Sequence, residues 1–130
     1  MQGRLEFSKP RRMEAFIYTL LRAADWHAAE AAGAYHGSVD DRRDGFLHFS
    51  TAAQLRASAA KHRAGIVDLL MVEVSAAALG EALKWEPASG GSRPGLFPHL
   101  YGVLPLAAVQ QVVPLPLSAD GLHQFPPGIP

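Results

Sequence analysis

Two short runs hold the side chains that could do chemistry: Gly45-Phe46-Leu47-His48-Phe49-Ser50-Thr51 and Phe97-Pro98-His99-Leu100-Tyr101-Gly102. Each sets polar residues at every second position of an apolar segment. Successive side chains of a strand point to opposite faces, so His48 and Ser50 share one face, and His99 and Tyr101 share one face of theirs. If those faces meet, they form a polar cleft between strands. A neutral imidazole at His48 could hydrogen-bond a ligand hydroxyl or act as a general base near neutral pH. Its structural alternative is a buried histidine satisfied by a backbone carbonyl. Ser50 is either the small hydroxyl partner of His48 or a helix cap in competition with Thr51.

Other residues could complete such a site. Glu86, at the end of Leu83-Lys84-Trp85-Glu86, is the candidate second catalytic residue, as a base or as a carboxylate facing developing positive charge. Pairing with Arg93 is its structural alternative. Trp85 offers a face for stacking on a base or nicotinamide, and Arg63 on a helix flank with Arg56 has the fork geometry that grips phosphate. His48, His99 and Glu86 would also match a catalytic zinc set, but no His-x-x-x-His spacing accompanies them, so no metal is expected. The sequence lacks a GxGxxG or Walker phosphate loop and a GxSxG elbow.

Composition narrows the classes. A chain of 130 residues with 48% hydrophobic content is sized for one core. No apolar run approaches the roughly 20 residues of a membrane span. The formal net charge of +0 speaks against a nucleic-acid partner and leaves a small-molecule ligand as the expected one. With 0 cysteines, disulfides, thiolate catalysis and cysteine-bound zinc are excluded. No signal-peptide core follows the basic start, so a cytoplasmic location is expected.

The elements that must position these residues follow from periodicity and punctuation. Residues 16–21 read as a strand and 23–32 as a helix closed by Gly33. Residues 34–45 read as a charged surface loop, with Asp40, Asp41 and Asp44 facing solvent. A strand over Phe46–Phe49 leads into a helix from Thr51 to about Arg63, opened by a Thr51/Gln54 capping box. Residues 66–74 form the most apolar run and hence a central strand; further strands are expected at 83–86, 99–103 and 109–115, with a flexible loop at 87–95. The predicted organisation is a basic arm over 1–15, one α+β domain over 16–115, and a Pro-rich tail over 116–130 lying extended on the surface or disordered.

The runs Ile17-Tyr18, Trp26, Gly45-Phe46-Leu47-His48 with Ser50-Thr51, Leu83-Lys84-Trp85-Glu86-Pro87, and Phe97-Pro98-His99-Leu100-Tyr101-Gly102 with Leu104 resemble the bacterial domain-of-unknown-function 952 family. That resemblance implies an ADP-ribosyltransferase-like fold: a small split β-sheet with two main helices. Enzymes of that fold hold NAD or an ADP-ribosylated intermediate in the split. Tyr18, Trp26, Gly33, His48 and Ser50 look like one of their patterns, whereas Thr19 stands where those enzymes commonly place a cofactor-holding histidine. The resemblance therefore implies a cleft for a nucleotide-like ligand, with NAD as the candidate cofactor. Three functions remain open: a ligand-binding domain, an ADP-ribosyl-type group transferase, and a non-catalytic interaction module.

Overall fold

The computed structural model describes residues 15–88 and 93–130. The expected basic arm, apart from Ala15, and the centre of the expected 87–95 loop lie outside the described residues. The elements run β1 (Phe16–Arg22), α1 (Ala23–Ala32), β2 (Ala34–Tyr35), α2 (Val39–Asp44), β3 (Leu47–His48) and α3 (Ala52–His62). They continue with β4 (Leu69–Ser75), a 3₁₀ segment over Ala77–Ala82, β5 (Leu83–Pro87), β6 (Leu96–Leu100), β7 (Leu104–Pro105) and β8 (Val109–Pro114). The architecture is mixed α+β. No helix among the described residues is long and apolar enough to cross a membrane.

Among the described residues three antiparallel sheets are formed, with strand orders β1-β4-β8, β2-β7 and β3-β6-β5. The run read as a central strand does lie in the middle of its sheet, and its two faces feed two cores. Val72 and Val74 join Ile17, Leu47, Phe49 and Leu100 in one cluster. Leu69 and Met71 join Leu20, Leu55, Ala59 and Leu115 in the other. A strand buried on both faces reads as a continuous apolar run, which is why 69–74 show no clean alternation.

The β3-β6-β5 sheet reaches the central sheet through one backbone bridge. Tyr18 N–H donates to the Ser50 carbonyl at 2.8 Å, and Ser50 N–H donates back to Tyr18 at 2.8 Å. This junction seats the His48–Ser50 segment against β1.

Two sequence expectations need correction. The stretch 34–45 is not a solvent-facing loop: it contains β2 and α2, and Asp41 is buried. Ser38 accepts from the Asp41 amide at 3.2 Å, while the Asp41 carboxylate accepts from the Ser38 amide at 2.8 Å, a reciprocal cap that nucleates a six-residue helix. Gly37 makes this packing possible, because a Cβ there would stand 2.8 Å from the Leu47 side chain and 2.9 Å from Asp41 Cβ. The tail, second, is structured. Leu115 and Ile129 are buried in the α3 cluster, Arg56 donates to the Pro130 and Ile129 carbonyls, and His123 bonds the Ile66 carbonyl at 2.7 Å. Phe125 and Ile129, apolar residues spaced among the prolines, supply the anchoring that proline content alone concealed.

At α3 the capping role falls to Thr51. Its hydroxyl accepts from the Gln54 amide at 3.2 Å and Gln54 Oε1 accepts from the Thr51 amide at 2.9 Å. Ser50 is thereby released for another partner. Thr51→Ala should lower stability by about 1 kcal/mol, read as a lower urea midpoint at unchanged slope. An unchanged midpoint would show that the cap contributes nothing.

Candidate functional site

β1, α2, the His48–Ser50 segment, the C-terminal half of α3 and the face of β6 carrying Phe97 and His99 enclose a cavity of about 230 Å³. Alternation along β3 sends Leu47 and Phe49 into the core and leaves His48 and Ser50 on the cavity side. His48 and His99 are direct cross-strand partners in the β3–β6 ladder, with ring centroids 5.7 Å apart. Phe46 stacks on His99 at 4.0 Å and tilts against His48 at 4.6 Å, which fixes both rings.

The two histidines have opposite electrostatics. His48 Nδ1 meets Asp41 Oδ1 at 2.5 Å and Nε2 meets Asp44 Oδ2 at 2.9 Å. Ionised carboxylates only accept hydrogen bonds, so both ring nitrogens donate and the ring is an imidazolium. Burial works against that charge, but the two carboxylates more than offset it and hold the His48 pKa above its ordinary value. With both ring nitrogens held on carboxylates, His48 presents no free nitrogen to the cavity in this arrangement, whereas the general-base reading needs one.

Asp41 is buried and its carboxyl is likewise raised by burial, yet bonds from the His48 ring and from the Ser38 and His48 amides bring it net below the usual carboxylate range. Asp44, bonded first to Arg43 and then to His48, is held down at about 2. Arg43 also pairs with Asp40 at 3.2 Å. The acidic wall of the cavity is thus internally compensated.

His99 is the available base. Its side chain is 4% exposed, and its Nδ1 lies 2.8 Å from Glu86 Oε1. Burial, only partly opposed by Glu86, keeps its pKa below the ordinary histidine value, so the ring is neutral and Nδ1 carries the hydrogen. Nε2 has no hydrogen-bond partner among the described residues, and His99 is one of the residues that line the cavity. Tyr101 Oη donates to the same Glu86 oxygen at 2.8 Å. These two bonds, His99 first, lower the Glu86 pKa and keep it a carboxylate.

The structure therefore brings His48, Ser50, His99 and Arg63 to one cavity. Glu86 and Tyr101 stand behind His99 rather than in the lining, and Glu86 pairs with His99 instead of Arg93. Trp85, cross-strand from Pro98 and 36% exposed, does not border the cavity. Sequence reading passed over Asp41, Asp44 and Ser58. The Ser38-x-x-Asp41 spacing is a capping-box signal that could have found Asp41; nothing local marks its contact with His48. Ser58, on the buried face of α3, bonds Ser50 Oγ at 2.7 Å and accepts from Arg93 at 3.1 Å.

A family model described as "Protein of unknown function (DUF952)" matches residues 20–112. The crystal structure of protein CC0527 from Caulobacter crescentus is similar at 43% identity and TM-score 0.78, covering 84% of this chain and 93% of that one. Its solution NMR structure is similar at 43% identity and TM-score 0.75, covering 85% and 92%. The comparison with curated proteins returns no match.

The Asp41–His48 pair has a definite pH signature. His48, with a raised folded pKa, contributes stability that is complete below about 6.5 and is lost as pH rises through the folded value. Asp41, with a lowered folded pKa, contributes above 3.8 and loses that contribution as pH falls through its folded value. The destabilisation caused by His48→Gln should therefore be largest at about pH 5–6 and shrink at alkaline pH. Urea titrations across pH check this, and a pH-independent difference would show His48 to be neutral. Asp41→Ala, which strands several donors at once, should cost about 3 kcal/mol.

Proposed function

The chain belongs to the DUF952 family, and on that premise we propose that it binds a small polar, nucleotide-like ligand in the cavity beside His99. One observation carries the reading: a pre-oriented imidazole lines the cavity with no partner on Nε2 among the described residues, while its Nδ1–H is fixed on a carboxylate. That arrangement accepts a hydrogen bond from a ligand hydroxyl or amino group without first having to reorganise. Ser50 and Arg63 line the same space and supply further polar contacts. At about 230 Å³ the cavity is smaller than the roughly 300–1,000 Å³ of sites that engulf drug-sized molecules. It suits one sugar or base with its substituents rather than a whole dinucleotide.

The second reading is ADP-ribosyl-type transfer in an ADP-ribosyltransferase-like split sheet. It draws support from the cavity at the junction of two sheets and from the Glu86–His99 pair, in which a carboxylate orients a base. Against it, Thr19 offers no imidazole on β1 and Glu86 is spent on His99 and Tyr101. A third reading, an interaction module without chemistry, follows if the cavity takes no ligand at all.

Thermal unfolding with adenosine, AMP, ADP-ribose and NAD, together with nicotinamide release, separates these readings. At 100-fold over its Kd a ligand should add about 2.7 kcal/mol of stability. We expect binding of the smaller compounds, its loss in His99→Gln with the fold retained, and no nicotinamide release. Robust release abolished by Glu86→Gln would make the protein a transferase. No stabilisation by any compound would leave the interaction module.

A further inference from the structure

Two cations of the cavity, Arg63 and Arg93, differ from its acidic groups in one respect: neither has a carboxylate partner within 4.0 Å among the described residues. Arg93 lines the cavity half-buried, with its guanidinium 4.4 Å above the Phe97 ring. Its recorded hydrogen bond goes to Ser58 Oγ, and no carboxylate lies within 4.0 Å of it among the described residues. Arg63 lines the same space, with a bond to the His62 carbonyl and no carboxylate within that distance among the described residues. A guanidinium carries five N–H donors in a fork, so most of the Arg93 donors are unspent. Taking a cation out of water without a counter-charge is costly, and the described residues supply none within 4.0 Å.

The hydroxyls beside Arg93 point the same way. Ser50 and Ser58 are both buried and share one hydrogen bond, Oγ to Oγ at 2.7 Å. Two hydroxyls have two hydrogens and this bond uses one, so a second O–H remains next to the guanidinium. Unspent donors on a cation and a neighbouring hydroxyl describe a receptor for an oxyanion.

We infer that Arg93 with the Ser50–Ser58 pair, in a cavity that Arg63 also lines, forms a phosphoryl subsite, and that the ligand is a phosphate monoester of a hydroxyl-bearing sugar. This deepens the ligand reading above and rests on it. Phe97 and His99 lie on one face of β6 two positions apart, a separation of roughly 6.7 Å. Arg93 stands over Phe97, so the oxyanion end and the His99 hydroxyl end are one sugar apart rather than one dinucleotide apart. His62 also borders the cavity; burial, then Arg63, Lys61 and Arg93, push its pKa down, and a bound phosphate would reverse the electrostatic part of that effect.

The test follows the two ends separately by NMR of the His62 and His99 ring signals in the full chain, titrated with inorganic phosphate, ribose 5-phosphate and ribose. Ribose 5-phosphate should shift both rings and inorganic phosphate should shift His62. Arg93→Gln should weaken ribose 5-phosphate binding about tenfold or more while leaving the His99 response to ribose unchanged. Equal affinity of wild type and Arg93→Gln for ribose 5-phosphate overturns the phosphoryl subsite, as does a His62 signal indifferent to inorganic phosphate. If His99 responds to ribose in that case, the ligand reading stands without the subsite. If His99 responds to nothing while His62 still reports phosphate and Arg93→Gln abolishes it, the subsite stands and the His99 reading fails.

Discussion

The Asp41 carboxylate accepts from the Ser38 amide at 2.8 Å, the His48 amide at 3.1 Å, the His48 ring at 2.5 Å and, at 3.5 Å, the Tyr35 hydroxyl. Through those four donors one buried anion starts α2, ties it to β3, and orients the imidazolium on the cavity wall. The charge is tolerable in the interior because each oxygen is bonded and a cation is one of the donors. Remove it and the backbone amides of two elements lose their acceptor together. Gly37 is part of the same arrangement, since any side chain there would collide with Asp41 and Leu47.

From that anchor the rest of the site follows by register. Fixing β3 fixes its antiparallel partner β6, which pairs His48 with His99 and carries Phe97 onto the cavity face. The reciprocal Tyr18–Ser50 bridge then joins this sheet to the central one and closes the cavity along β1. The central sheet can serve as a wall because it is packed on both faces, by the α1 and β3-β6-β5 side and by α3 with the C-terminal segment.

The two histidines show how environment, not residue type, assigns roles. Between two carboxylates, His48 is a fixed cation whose hydrogen bonds are all used within the protein. Against a single carboxylate and under an aromatic ring, His99 stays neutral and keeps one nitrogen for the cavity. The charges on the walls divide in the same manner. Asp40, Asp41 and Asp44 are compensated by Arg43 and His48, whereas Arg63 and Arg93 have no carboxylate within 4.0 Å among the described residues. That asymmetry is what the proposed phosphoryl subsite rests on.

The sequence by itself determined the local and the periodic. Alternation placed His48 and Ser50 opposite Leu47 and Phe49, the Thr51/Gln54 spacing located the start of α3, and the apolar run ending at Val74 marked the buried central strand. These depend on neighbours within a few positions, which a linear pattern records. The tertiary structure decided the rest: that Asp41 is buried rather than solvated, that Glu86 serves His99 and not Arg93, that Ser50 bonds Ser58 instead of capping a helix, and that Phe125 and Ile129 tie the proline-rich tail to the core. In each case the partner comes from another element, and the protonation of each histidine depends on how many carboxylates that packing brings to its ring. A charge in a sequence is only a residue type; burial and partner count make it an anchor, a base or a receptor.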